Sequence, residues 1–313
     1  MKRNPSSRPP RPPAGFKWGG MFASANASIR LAQCQEQQAI CRGERPSPTG
    51  RTRGGVSTFD TMAADYDRQF THSLIGRLMR EAVWRRMDAR FREGDCVLEM
   101  NCGTGEDALH LASRGVRVLA TDVSAAMVEQ TRAKAAASAF GGLIEARQTA
   151  WEDLADLAGV SARFDGALSN FGGLNCVADL HGAAEGLARF IKPGGTVFLC
   201  IMGPRCPWEW AWHLGHAQPR KAFRRLRRGG IAWRGITVRY PSATRTLRAF
   251  SPWFRPRRVT AVGALVPPSY AEPWAQRYPR LVAFLNRCER CCEAVPFVAA
   301  LADHYLLEME RVS

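Results

Sequence analysis

The chemistry of this chain concentrates in one short stretch. Glu99-Met100-Asn101-Cys102-Gly103-Thr104-Gly105 leaves the apolar run Val97-Leu98 and enters a helical pattern. Its two glycines allow a ligand to approach the backbone closely. A dinucleotide fingerprint would read Gly-x-Gly-x-x-Gly, whereas this turn reads Asn-x-Gly-x-Gly with Glu106 at the third glycine position. Pyrophosphate is therefore disfavoured. Glu99 points the same way, because a carboxylate beside the glycines repels an anion and attracts a cationic amino-acid group. Asp122 closes the next apolar run, where a carboxylate accepts hydrogen bonds from both hydroxyls of a ribose. Each residue also has a plainer reading: the turn as a tight strand-to-helix connection, Asp122 as a helix cap ahead of Ser124, Trp151 as core.

These residues need a framework, and the hydrophobic pattern supplies one. A helical period covers about residues 72 to 91, with Leu74, Leu78 and Met79 on one side. Strands are expected at Cys96 to Met100, Val116 to Thr121, about Leu143 to Gln148, Phe164 to Asn170 and Thr196 to Met202. Helices are expected at about 106 to 114, 124 to 138 and 179 to 191, the last stopped by Lys192-Pro193-Gly194-Gly195. Strand, helix, strand with short turns predicts an α/β, doubly wound, Rossmann-like parallel sheet. Two further strands, Val259 to Val266 and His304 to Val312, flank a helical stretch near the C-terminus. Residues 1–56 hold seven prolines and no sustained period, so they are expected to be a disordered basic tail, with 57–313 forming one domain.

Together, Glu99 to Gly105, Asp122 and the leading stretch Phe59-Asp60-Thr61-Met62-Ala63-Ala64-Asp65-Tyr66-Asp67 resemble class I S-adenosylmethionine-dependent methyltransferases, in the small-molecule and lipid-modifying branch. The resemblance is good over about residues 57 to 203 and extends to the C-terminal part in strand order only. It implies a seven-stranded sheet of order 3-2-1-4-5-7-6 with an antiparallel last strand, and S-adenosyl-L-methionine as cofactor. Carried over, Glu99, Gly103 and Gly105 would line the methionine end and Asp122 the ribose, with Asn101 and Val123 also among the cofactor-binding residues. Ala150 and Trp151 would face the adenine, Asn170 and Phe171 the sulfonium, and Tyr66 would cover the cofactor. Asn101 departs from the usual glycine, although Asn tolerates left-handed conformations better than most residues.

Charge and composition bear on the acceptor. The net charge of +16 divides unevenly: residues 1–56 contribute +8, residues 210–271 contribute +13 without a single acid, and the remainder is −5. The internal block holds Trp210, Trp212, Trp233 and Trp253, with Trp208 just before it. An insertion over residues 204–258 would form a lid beyond the strand ends, where Arg224, Arg225, Arg227 and Arg228 could meet a phosphate or carboxylate beside an apolar body. Trp and Arg together also suit peripheral contact with an anionic membrane. Nucleic acid is the competing partner, but Asn170-Phe171-Gly172-Gly173 lacks the prolines of a base-amino methyltransferase motif. Other readings are a protein acceptor, a non-catalytic binding module or a nicotinamide enzyme. Candidate bases are His213, His216, Tyr240, Tyr270 and His181. Cys288, Cys291 and Cys292 share a helical face but lack a second metal half-site, so they read as buried thiols and no metal is expected. Ten cysteines at irregular spacing suit reduced thiols in a cytoplasmic protein. The oligomeric state is not encoded in any recognisable pattern.

Overall fold

A computed structural model describes residues 59–159 and 164–312. The expectation for residues 1–56 lies outside them. Nine strands follow in chain order: β1 (Cys96–Met100), β2 (Arg117–Asp122), β3 (Ile144–Gln148), β4 (Phe164–Ser169), β5 (Ile191–Met202), β6 (Ile231–Trp233), β7 (Ile236–Val238), β8 (Phe254–Val262) and β9 (His304–Arg311). Seven of them form one sheet of order β3-β2-β1-β4-β5-β9-β8, and β6-β7 is a separate hairpin. With the hairpin set aside, this is the order implied by the resemblance. Strands β1 to β5 are parallel, and β9 runs antiparallel to both β5 and β8.

The sheet is buried on both faces because successive side chains alternate between two apolar layers. Leu98, Leu199 and Leu307 enter one layer, packed with α4 (Leu180–Ala188) and α6 (Ala243–Phe250). Val97, Phe198 and Leu306 enter the other, beneath α1 (Leu74–Asp88), α2 (Glu106–Ala112) and α7 (Pro279–Cys292). Side-chain oxygens cap several helices. Ser73 accepts from Gly76 N at the start of α1, and Ser124 accepts from Met127 N at the start of α3 (Ala125–Ala137).

The C-terminal strand begins earlier than its apolar pattern suggests, at Phe254 rather than Val259. Arg255, Pro256 and Arg257 mask its start. These residues suit an edge strand, and Arg255 and Arg257 both pair with Glu310 on β9. It also ends earlier, at Val262. The chain turns at Gly263, and Glu289 accepts from Gly263 N, Leu265 N and Val266 N at 2.7, 2.8 and 2.9 Å. Glu289 and Val282 are the buried residues of α7; Cys291 is exposed and Cys288 and Cys292 are half-buried. The reading of all three as buried thiols is thus corrected: the inward stripe of the helix passes between them.

Of the expected lid, α6 and the start of β8 pack into the core, with Phe250 and Phe254 fully buried. The remainder holds α5 (Pro207–Gly215), short turns and the β6-β7 hairpin. A buried ion cluster anchors it. Arg225 donates to Glu209 Oε2 at 2.7 Å and to Asp303 Oδ1 at 2.6 Å, while Arg224 Nε donates to Glu209 Oε1 at 2.7 Å. Part of the lid's charge is therefore neutralised by acids just outside the acid-free block, which removes Arg225 as an acceptor contact. Arg225→Met should cost about 3–5 kcal/mol in denaturant unfolding, because Asp303 would stay buried without its arginine while Glu209 would keep only Arg224.

Candidate active site

The described residues form a cavity of about 380 Å³ at the C-terminal ends of β1, β2 and β4, the position where open α/β sheets hold ligands. Its floor is the Glu99–Gly105 turn. Asn101 takes a left-handed conformation at φ +54°, and so do Gly103 and Gly105. The Asn101 amide explains why this position is not glycine. Its Nδ2 donates to Asn170 O at 2.8 Å and its Oδ1 accepts from Ser169 Oγ at 2.6 Å, tying the β1 turn to the end of β4. The space for that amide comes from Gly173, where a Cβ would stand 2.0 Å from Asn101 Cγ.

Asp122 lines the cavity with a carboxylate already oriented: Oδ2 accepts from Gly103 N at 3.0 Å and Oδ1 from Ser124 N at 2.9 Å. Burial raises its pKa to about 6, against the opposing effect of those hydrogen bonds. Glu99 is fully buried behind the turn, and burial, with Asp107 nearby, pushes its carboxyl well above the usual range. Its Oε2 has no hydrogen-bond partner. Such an orphan is costly without a ligand cation. Asp107 itself is engaged by Arg80, Trp84 and Asn170 at 2.7, 2.6 and 3.0 Å.

The segment ahead of α1 forms the near wall. Phe59, Met62 and Tyr66 line the cavity, and Tyr66 lies over the turn, with Cε1 4.0 Å from where a Gly103 Cβ would sit. Two acids pin this segment. Asp60 accepts from Ser124 Oγ and Ala126 N at the start of α3, and Asp67 accepts from Thr104 Oγ1 at 2.6 Å and pairs with Lys134.

The sequence candidates separate cleanly. Tyr66, Asn101, Gly103, Asp122, Val123, Ala150, Trp151, Asn170 and Phe171 all line the cavity, and so does Tyr240. Glu99 lies behind it. Gly105 does not reach it; a Cβ there would meet Thr131 at 2.7 Å, so its glycine serves packing. His181 packs at a tilt against Trp253, while His213 and Tyr270 pack together and His216 accompanies Trp212, and none of them lines the cavity. Arg227 and Arg228 are exposed and do not line it, whereas Arg224 does. No group of His, Cys, Asp and Glu among the described residues is arranged to hold a metal ion.

Sequence reasoning missed the far wall. Trp233, Ile236 and Val238 of the hairpin face the cavity, opposite Cys176 and Val177. Asn175 fastens the two sides: its Nδ2 donates to Met202 O and Arg239 O, its Oδ1 accepts from Met202 N, and its carbonyl accepts from Arg239 N at 2.7 Å. Nothing in Leu174-Asn175-Cys176 signals this before the lid's position is known.

Comparison with known proteins agrees with this geometry. Residues 97–195 match the methyltransferase domain family. The demethylmenaquinone methyltransferase of Symbiobacterium thermophilum is 30% identical over 166 residues, 50% of this chain and 61% of that protein. The ubiquinone/menaquinone biosynthesis C-methyltransferase UbiE of Geotalea daltonii is 31% identical over 150 residues, 45% of this chain and 60% of that protein. The match thus spans only about three-fifths of the length of these curated relatives. Among solved structures, the CcbJ methyltransferase of Streptomyces caelestis superposes with a TM-score of 0.54 at 17% identity, covering 82% of this chain and 99% of that one, which shows the fold. The chain carries a class I S-adenosylmethionine-dependent methyltransferase domain. The residues present fit that cofactor: Gly103 leaves room against the turn, with only Tyr66 Cε1 within 4.0 Å of where a Cβ would stand, Asp122 brings an oriented acid for a ribose, and the unpartnered Glu99 Oε2 lies behind the turn.

The fit between Asn101 and Gly173 is directly testable. Gly173→Ala should lower stability by about 1–3 kcal/mol and weaken cofactor binding. Asn101→Gly in the same chain should recover part of the loss; additive losses in a double-mutant cycle would show that the two sites act independently.

Proposed function

We propose that the chain transfers a methyl group from S-adenosylmethionine to a small, apolar, ring-bearing acceptor that reacts as its anion. One observation carries this reading: the cavity that holds the glycine turn and Asp122 on one side is closed on the other by apolar hairpin residues with Arg224 and Tyr240 among them. When bound, S-adenosylmethionine supplies a methyl group already activated on a sulfonium. The chain's own part is to hold Asp122 ready for the ribose, to place Glu99 near the amine, and to exclude water with Tyr66 and the hairpin.

Among the described residues of the lining, the tyrosines and the thiol hold their protons and Asp122 is engaged, which leaves the exposed Glu152 as the one further carboxylate. Burial raises Tyr240 and Tyr66 above the ordinary tyrosine range and lifts the Cys176 thiol to about 11, so all three stay protonated near neutrality. Asp122 is committed to Gly103 and Ser124, and Glu152, which also lines the cavity, is exposed to water next to Trp151 in the chain rather than part of the hairpin wall. No histidine lines the cavity. Tyr240 is therefore a hydrogen-bond donor, and Arg224 supplies positive charge: its Nε is held by Glu209, while its terminal nitrogens have no protein acceptor among the described residues. An acidic enol or phenol that has already lost its proton suits this wall. The named activities of the two relatives, both acting in quinone biosynthesis, support a small ring acceptor.

Calorimetry with S-adenosylhomocysteine tests the cofactor part; no binding would end the whole reading. Turnover of S-adenosylmethionine with ring enols and phenols of graded acidity tests the acceptor part. Arg224→Gln should lower kcat/KM by about 10- to 100-fold while the S-adenosylhomocysteine Kd stays constant, and rates should follow the acceptor's own ionisation. Unchanged turnover in Arg224→Gln would refute the anion.

Asp122 adds a pH dependence. Ribose hydroxyls donate to the ionised carboxylate, so binding favours its deprotonated form, and the folded value of about 6 lies above the ordinary carboxylate range. S-adenosylhomocysteine affinity should accordingly be full above pH 6 and fall, by up to about tenfold per pH unit, as pH drops below it. Asp122→Asn should bind more weakly and lose this dependence. A parallel pH profile in that variant would assign the titration to another group.

A further inference from the structure

We propose that the outer face of the lid docks on an anionic lipid bilayer beside the mouth of the cavity. Leu214, Phe223 and Leu226 expose 48%, 45% and 49% of their surface, and they are neighbours. Phe223 lies against Trp210, with ring centroids 6.0 Å apart. Leu214 follows Trp210 by one turn on the same face of α5, and Leu226 N donates back to Phe223 O. Three large apolar side chains on one exposed corner are more than scattered surface residues require.

Charge selects the occupant. Arg220, Arg227 and Arg228 are exposed around this corner, and no acid occurs between Trp210 and Ala271. The carboxylate nearest in sequence, Glu209, is fully buried and consumed by Arg224 and Arg225. A rim of arginines around aliphatic and aromatic groups matches the interface of an anionic bilayer, where the apolar groups enter the headgroup boundary and guanidinium groups meet phosphates. A phosphate backbone alone would leave the leucines without a role. The tryptophans take no direct part: they are half-buried, and Trp208 Nε1 donates to Leu265 O. Arg224, set between the exposed Phe223 and the buried Arg225, faces the cavity, so the corner is continuous with the acceptor's wall. Docking here would let an apolar acceptor pass from lipid to the cavity without crossing water, but the contact itself needs no turnover.

Sedimentation of the full chain with vesicles of phosphatidylcholine, alone or mixed with phosphatidylglycerol, tests the proposal. Binding should require phosphatidylglycerol and weaken as salt rises. Leu214→Ser/Phe223→Ser/Leu226→Ser should lower the partition coefficient at least about tenfold, with melting temperature and S-adenosylhomocysteine Kd unchanged. If that variant fails to fold, Arg220→Gln/Arg227→Gln/Arg228→Gln provides the same reading through loss of the salt-dependent component. Four results would each overturn it: no binding, equal binding to neutral vesicles, undiminished binding by a folded variant, or a shift in oligomeric state without vesicle binding. Undiminished binding would place the contact in the basic residues 1–56 or elsewhere; the oligomer shift would make the corner an interface between copies of the chain.

Discussion

The carboxylate of Asp122 is the constraint on which the cavity is built. One oxygen receives Gly103 N and the other Ser124 N, so a single side chain fixes the turn after β1 relative to the turn after β2. From Ser124 the order spreads outward: its hydroxyl caps α3 and also donates to Asp60, which brings the segment ahead of α1 across the cavity. Thr131 of α3 in turn donates to Gly103 O at 3.0 Å. Desolvation raises the pKa of this carboxyl to about 6 despite those bonds. The group that would hold the ribose is thus oriented before any ligand arrives, and part of the entropic cost of ordering it is met by the fold.

A second constraint governs the lid. Hairpin β6-β7 and the turns before it have little core of their own, and a two-stranded unit is marginal alone. Its position is set by two buried polar anchors, the Arg225–Glu209–Asp303 cluster and the Asn175 amide. Both join the lid to the ends of β5 and β9. Polar anchors suit such a place because they fix orientation where apolar contact is too sparse to do so, although they add little net stability. They also decide which lid arginine meets the cavity: Arg225 is turned inward by two carboxylates, and Arg224, sharing one of them, is left with its terminal nitrogens free.

The sheet was legible because its signals are local and repeated. Alternation of Val97/Leu98 and Leu306/Leu307 between two apolar layers shows directly in sequence. The cofactor side was legible for a related reason: the glycine turn and Asp122 sit at the ends of adjacent parallel strands, so strand order alone brings them together. The C-terminal edge strand was not, since Arg255, Pro256 and Arg257 carry edge protection where an apolar signal was sought. Nor was the far wall. Which residues of an insertion face inward depends on long-range pairs such as Glu209–Arg225 and Asn175–Arg239, whose members look like ordinary surface residues until they meet. The histidines of α5 show the consequence. Glu209 is the buried residue of that helix, so His213 and His216 are carried to the side that packs near Tyr270 and Trp212.

The same short segment therefore does two things that compete. Inward it presents apolar hairpin residues and Arg224 to the cavity, and outward it leaves Leu214, Phe223 and Leu226 uncovered. A soluble lid under no other demand would bury those three or replace them, since exposed leucine gains nothing from water. Their arginine rim offers a resolution, because repulsion between like-charged rims keeps the corner from pairing with its own copies while attraction to an anionic surface remains. Inward cation and outward rim then belong to one electrostatic arrangement. Glu209 divides it, neutralising the charge that lies buried and leaving the charge at the two surfaces where an anion can arrive.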